Sequence, residues 1–319
     1  MKNFTSVHDV DNVQALVQDA LSIKKDPYAF ENLGKHKTLG LIFLNPSLRT
    51  RLSTQKAAAN LGMNTMVMNL DKEGWALETE DGVIMNSNKA EHIREAAAVL
   101  GQYCDIIGIR SFPQLRNRDD DYNELILKKM INFSGRPVVS LESATRHPLQ
   151  SLADLVTITE LAPDFLNRKP KVVLTWAPHI KPLPQAVPNS FAEWMLKSDV
   201  EFVITHPEGY ELAEEFTNGA NIIYDQDKAL QDADFVYVKN WSSYSDYGHI
   251  LNSDKSWMLN NKKLYKTSNA RVMHCLPVRR DVELASEVLD GQNSIVIQEA
   301  GNRVFAAQAV LKQLLMDNF

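Results

Sequence analysis

Four short segments of this 319-residue chain hold side chains whose types and spacing suit chemistry on a small anionic substrate. In Phe43-Leu44-Asn45-Pro46-Ser47-Leu48-Arg49-Thr50-Arg51, an apolar strand runs into a proline and a helix opens on Ser47, Arg49, Thr50 and Arg51. A helix start offers backbone N–H groups and the positive end of a dipole, which favour anions. Arginine opposes that dipole, so two in one first turn make sense around a bound anion. A capped surface helix with solvated arginines is the competing explanation. Arg110 ends another apolar run, where open α/β sheets bind ligands; taken singly, it reads better as a surface ion pair. In Glu142-Ser143-Ala144-Thr145-Arg146-His147-Pro148-Leu149-Gln150-Ser151-Leu152-Ala153-Asp154, proline holds His147 extended and Gln150 opens a helix. His and Gln can both donate to a carbonyl oxygen, and here they share a junction with a carboxylate, as a carbonyl-polarising site would require. In Met273-His274-Cys275-Leu276-Pro277-Val278-Arg279-Arg280, Cys275 and the Leu276 carbonyl fall at a strand end. A buried cysteine acting as a small hydrophobe is the alternative there. Arg303 adds a cation at the start of the last helix.

The elements that must position these residues read as alternating strands and helices. Val13, Leu16, Val17, Ala20 and Leu21 mark a first helix. Strands are predicted at Leu39–Leu44, Thr65–Met68, Asp105–Ile109 and Pro137–Leu141, with helices at Ser47–Leu61 (closed by Gly62), Glu91–Leu100 and Leu125–Ile131. A long helix, Leu149–Leu161, joins two halves. Further strands are predicted near Val172–Trp176, Phe202–Thr205, Ile222–Tyr224, Phe235–Val238, Val272–Cys275 and Ser294–Ile297, before an amphipathic helix at Arg303–Met316. Such alternation implies parallel sheets covered on both faces. The expectation is two doubly wound α/β domains with an interdomain cleft. Residues 70–88, 177–189 and 239–254 read as long loops, of a length usually functional or disordered, and the apolar and proline residues of the second favour an ordered one.

Composition removes several classes. The formal charge of −6 argues against a nucleic-acid protein. No apolar run approaches the ~20 residues of a membrane span, and no signal core opens the chain, so a cytoplasmic protein is expected. Cys104 and Cys275 cannot form a disulfide framework or a four-ligand zinc site. The dinucleotide, P-loop, metalloprotease and α/β-hydrolase signatures are missing.

Taken together, the segments resemble the aspartate/ornithine carbamoyltransferase superfamily. Ser47-Leu48-Arg49-Thr50-Arg51 is similar to its S-x-R-T-R carbamoyl-phosphate signature. His147-Pro148-Leu149-Gln150 with Leu152-Ala153-Asp154 is similar to H-P-x-Q-x-L-A-D, and His274-Cys275-Leu276-Pro277 to the H-C-L-P of the ornithine side. The chain departs from enzymes acting on free ornithine. Trp241-Ser242-Ser243-Tyr244-Ser245-Asp246-Tyr247-Gly248 stands where they carry D-x-x-x-S-M-G, and Ala177–Val187 is rich in proline. Both features resemble the branch acting on N-acylated ornithine.

That resemblance implies a carbamoyl-phosphate domain of residues 1–142 plus 303–319 and an acyl-ornithine domain of residues 143–302, the second knotted. It implies a homotrimer with shared active sites, Trp75 reaching a neighbour's site. The implied reaction carries the carbamoyl group of carbamoyl phosphate to the δ-amine of an N-acyl-L-ornithine, in arginine biosynthesis, with no cofactor or metal and no nucleic-acid or membrane partner. Ser47, Leu48, Arg49, Thr50, Trp75, Arg110, His147, Gln150, Cys275, Leu276 and Arg303 would bind carbamoyl phosphate; Thr50, Arg110, His147 and Cys275 would be catalytic. Glu142, His179, Lys239, Arg279 and Ala90 would face the acyl-ornithine. Acetyl-specific members carry a glutamate at the position of Ala90 and succinyl-type members a proline. Alanine leaves room for a second carboxylate, which a glutamate about 4 Å away would oppose by ~4 kcal/mol at an effective dielectric near 20. Glu283 also replaces a lysine of the acetyl members. A succinyl substrate is expected, with acetyl the alternative and a non-catalytic anion-binding homologue the remote one.

Overall fold

The computed structural model describes residues 1–161 and 168–319. Its strands are β1 Thr38–Phe43, β2 Asn64–Asn69, β3 Leu77–Glu78, β4 Glu91–His92, β5 Ile106–Arg110, β6 Val138–Glu142, β7 Lys171–Trp176, β8 Glu201–Thr205, β9 Asn221–Ile222, β10 Phe235–Lys239 and β11 Arg271–Met273. Two compact units form: Met1–Pro113, Asp119–Leu149 and Arg303–Phe319 make unit one, Gln114–Arg118 and Gln150–Asn302 unit two.

Unit one holds the parallel sheet β2-β1-β5-β6. From β1 the chain first steps outward to β2, then returns to the opposite side for β5. The strand order therefore reverses between β1 and β5, and the crevice outside their carboxyl ends is where such sheets bind ligands. Phe43 and Arg110 are partners in register at that edge. Ile42, Ile107 and Ile109 are buried with Ala97, Leu127 and Met130 of the helices Ile93–Tyr103 and Leu125–Ser134. The predicted helix closure at Gly62 is seen at φ +77°; a Cβ there would lie 2.1 Å from the Glu31 carbonyl oxygen.

Unit two holds the parallel sheet β11-β10-β7-β8-β9. Its reversal lies between β7 and β10, where Trp176 and Lys239 are in register. Val173, Val236, Val238 and Val272 form its core with Leu230, Leu259 and Leu284. The loops leaving this edge are tied together: Asn240 Nδ2 donates to the Ala177 carbonyl at 2.6 Å, Ser242 N to the Leu183 carbonyl at 2.9 Å, and Gln185 Nε2 to the Ser242 carbonyl at 2.8 Å.

Three sequence-based expectations are corrected. Ser294–Ile297 is not a strand. Asn293 and Ile295 exchange backbone hydrogen bonds with Val272, and a helix, Val296–Asn318, then begins. The β-branched run is thus split between one bridge and a helix start. The 177–189 loop ends early, in the helix Ala186–Leu196, because Pro188 sits in its first turn, where an N–H has no intrahelical partner to lose. The 70–88 loop contains the helix Leu70–Glu73 and β3, which pairs with β4.

Candidate active site

At the carboxyl edge of β1 and β5, the Arg49–Asn60 helix starts without a side-chain cap and without an acidic residue in its first turn. Three guanidiniums converge near this start. Arg110 donates to Glu142 Oε2 from Nε at 3.1 Å and Nη2 at 2.8 Å, and from Nη1 to the Pro46 carbonyl at 2.7 Å. It thereby anchors the chain just before Ser47. Arg303 Nη2 donates to Thr50 Oγ1 at 2.5 Å. His147 is buried, with Nε2 3.8 Å from Glu142 Oε2. Burial, then the charges of Arg303, Arg110 and Arg49, push its pKa well below the usual histidine range. The imidazole is therefore neutral at pH 7 and donates a proton to a hydrogen bond without carrying charge. Three guanidiniums against the Glu142 carboxylate leave positive charge in surplus, as a phosphate site requires. Arg51, the other first-turn arginine, turns away to Asn69 Oδ1 at 3.2 Å.

At the carboxyl edge of β7 and β10, cations are held differently. Lys239 is buried, and Arg279 Nε donates to His179 Nε2 at 3.1 Å. Burial lowers the His179 pKa, and the charges of Lys239 and Arg279 add to that against the opposing Lys181 carbonyl and Glu283. Glu283 is 1% exposed. Burial raises its pKa, but the His274 hydrogen bond, the Lys239 charge and the Arg279 N–H hold it at about 2. His274 Nδ1 accepts the Leu276 N–H at 2.9 Å, so its Nε2–H faces Glu283 Oε1 at 3.4 Å. Glu283 Oε2 accepts the Arg279 N–H at 2.8 Å. One carboxylate thus clamps the turn that carries Leu276, itself at φ +54°, a left-handed conformation uncommon for leucine.

Cys275 is buried beside Tyr237, whose pKa is pushed well above the usual phenol range by burial, then by Asp154, Cys275 and Glu299. Gln150 Nε2 donates to Asp154 Oδ1 at 2.7 Å and Glu299 Oε1 at 3.3 Å. On the 70–90 segment, Trp75 is 59% exposed, its indole N–H donating to Glu91 Oε2 at 3.0 Å. The exposed Ala90 donates its N–H to the Ala76 carbonyl at 3.2 Å. Ser47 is half-buried and Leu48 exposed.

In unit one the structure brings Arg49, Thr50, Arg110, Glu142, His147 and Arg303 together; in unit two it brings His179, Lys239 and Arg279 together, and separately Gln150 with the Cys275 turn. Among the described residues, no group of three or more His, Cys, Asp or Glu side chains is placed to hold a metal ion. No helix of the described residues is long and apolar enough to cross a membrane.

Comparison with known proteins agrees with this geometry. Residues 2–160 match the carbamoyl-P binding domain of aspartate/ornithine carbamoyltransferases, and residues 184–314 match the Asp/Orn binding domain. The chain belongs to the aspartate/ornithine carbamoyltransferase family. Within that family it is 55% identical over 317 residues, 99% of each chain, to the N-succinylornithine carbamoyltransferase of Bacteroides thetaiotaomicron. It is 33% identical, over 98% of each chain, to the N-acetylornithine carbamoyltransferase of Xylella fastidiosa. Among solved structures, acetylornithine transcarbamylase complexed with acetylcitrulline superposes with a TM-score of 0.91 at 32% identity, covering 98% of this chain and 99% of that one.

Sequence reasoning gave Glu283 only a place in a substrate comparison, and gave Asp154 and Glu299 no role. Asp154 lies one helical turn after Gln150, a spacing that could have flagged it.

Proposed function

We propose that this chain carries the carbamoyl group of carbamoyl phosphate to the δ-amine of N2-succinyl-L-ornithine, giving N-succinyl-L-citrulline and phosphate, in arginine biosynthesis. The observation that carries the reading is the neutral, buried His147 among Arg49, Arg110 and Arg303 beside an uncapped helix start. Family membership and the 55% identity to an N-succinylornithine carbamoyltransferase support it. Ser47, Leu48, Arg49 and Thr50 hold the phosphate, with Arg303 and Trp75 completing its shell. Arg110, His147 and Thr50 stabilise the oxyanion as the amine lone pair attacks the carbonyl carbon, while Gln150 and the Leu276 carbonyl orient the carbamoyl NH₂. The bond to the phosphate oxygen then breaks, and phosphate leaves with the electron pair. The amine, with an ordinary pKa of about 10.4, must shed a proton; Cys275 lies beside it, and the departing phosphate is an acceptor. Glu142, His179, Lys239 and Arg279 face the second substrate, the two cations meeting carboxylates.

The succinyl assignment rests on Ala90. Variants of N-acetyl-L-ornithine transcarbamylase with one glutamate replaced by alanine, serine, proline or valine have been crystallised with carbamyl phosphate and N-succinyl-L-norvaline. By the count from Trp75, Ala90 stands at the glutamate position. On this reading residues 1–142 with 303–319 are the carbamoyl-phosphate domain and residues 143–302 the acyl-ornithine domain, whereas the compact units place 143–149 with the first and 114–118 with the second. The ties between the 177–185 and 239–242 loops suit a knotted second domain. Exposed Met66 and Met68 on β2, with Leu48, Leu52, Trp75 and Ile84, suit a homotrimer with shared sites. A cytoplasmic setting suits two buried free cysteines.

The test is a colorimetric ureido assay with carbamoyl phosphate and ornithine, N-acetyl-L-ornithine or N-succinyl-L-ornithine. A citrulline-type product is expected with the succinyl substrate, and no product from any of them contradicts the reading.

A further inference from the structure

Two buried carboxylates of unit two fix the direction of the Gln150 amide. Gln150, Asp154 and Glu299 are at most 1% exposed, and the Gln150 nitrogen donates to both carboxylates. A primary amide has two N–H donors and one carbonyl acceptor. Turned over, its oxygen would face two carboxylate oxygens in a low-dielectric interior, so electrostatics forces the observed orientation. The carbonyl end of the amide is consequently turned away from the pair. Glu299 does a second thing: its Oε2 accepts the backbone N–H of His274 at 2.9 Å. One carboxylate thus ties Gln150 to the strand end that carries Cys275 and the Leu276 carbonyl.

We propose that Asp154 and Glu299 are positioning residues that make Gln150 an obligate hydrogen-bond acceptor toward the substrate, so that the site selects an acyl phosphate bearing N–H over one bearing a methyl group. The inference deepens the function proposed above and rests on it. Carbamoyl phosphate and acetyl phosphate have nearly the same shape, and they differ in whether the acyl substituent can donate. A glutamine with its N–H groups committed elsewhere distinguishes the two; an amide free to turn does not.

Calorimetric affinities of the parent for carbamoyl phosphate and acetyl phosphate, compared with those of Glu299→Gln and Asp154→Asn, test this. Both substitutions keep side-chain size. The amide in Glu299→Gln has one acceptor where the carboxylate had two, so it cannot serve His274 and Gln150 together. The parent should prefer carbamoyl phosphate by roughly tenfold, the scale of one or two neutral hydrogen bonds. Each variant should reduce that preference to below about threefold while its affinity for acetyl phosphate stays near the parent's. Parallel loss of both affinities with the preference intact would mark a merely structural role and overturn the inference, as would an unchanged preference. If Glu299→Gln does not fold, Asp154→Asn gives the same reading. A parent that binds carbamoyl phosphate without preferring it overturns this inference alone. One that binds neither ligand overturns the proposed function as well.

Discussion

The carboxyl edges of the two sheets collect charge in different ways. At the β1–β5 edge, Arg49, Arg110 and Arg303 surround the neutral His147, and the Glu142 carboxylate is bound to one of them. At the β7–β10 edge, Lys239 and Arg279 share their surroundings with Glu283, held ionised near a pKa of 2. The first edge is left with positive charge that an incoming dianion would neutralise. The second sets two cations against one resident carboxylate, which holds the backbone turn that carries Arg279. A strongly charged leaving group needs the surplus, because its charge grows as the bond to carbon breaks. Carboxylates that only anchor a substrate need direction more than field.

Removing the neutral donor from the first edge should have the largest effect. His147→Ala should lower kcat by about 10²–10³-fold, the usual cost of one oxyanion donor. Steady-state rates with a saturating pair of substrates measure it, and a loss confined to KM would break the contrast by making His147 an anchor. Because the folded-state pKa of His147 is depressed, the unfolded chain takes up its proton first. That contribution to stability is intact above the ordinary histidine value near 6.5 and is lost as pH falls below it.

Glu283→Gln probes the second edge. The drop in its pKa from 4.5 to about 2 corresponds to roughly 3 kcal/mol of stability. With a depressed carboxyl pKa, that stability is present above 4.5 and disappears as pH falls toward 2. Denaturant titrations across this window should show a steeper acid loss in the parent than in the variant. KM for the acyl-ornithine should rise as the Arg279 turn loses its anchor and Lys239 a neighbouring negative charge, with affinity for carbamoyl phosphate unchanged. If both ligands weaken together, the edges are not separable.

Arg49→Ala sharpens the first edge at its surface. Loss of one charge-assisted contact should weaken carbamoyl phosphate by about 1.5–3 kcal/mol while the melting temperature holds. Normal binding by calorimetry would remove Arg49 from the phosphate site.

Legibility in the sequence followed the same division. The first edge is written largely in consecutive residues, Ser47 to Arg51, so its chemistry could be read from spacing and dipole alone. Arg110 was legible as a strand end, and the register of β1 with β5 shows why it faces the same crevice. The second edge draws on His179, Lys239, Arg279 and Glu283, which the sheet order alone gathers, so here the family resemblance supplied the residues. Glu299 was lost to a misreading of Ser294–Ile297: with a strand ending at 297 and a helix starting at 303, it fell in an apparent turn. In the structure it lies in the first turn of the Val296–Asn318 helix. The direction of the Gln150 amide depends on Asp154, four positions on and legible as a helical pair, and on Glu299, 149 positions away, which no local pattern encodes.

The measurement that bears most directly on the proposed function is the ratio of kcat/KM for N-succinyl-L-ornithine to that for N-acetyl-L-ornithine, with carbamoyl phosphate saturating. The account predicts a clear succinyl preference in the parent, reversed toward acetyl by Ala90→Glu, where a second negative charge would meet the succinyl carboxylate. A parent that prefers the acetyl substrate would contradict it.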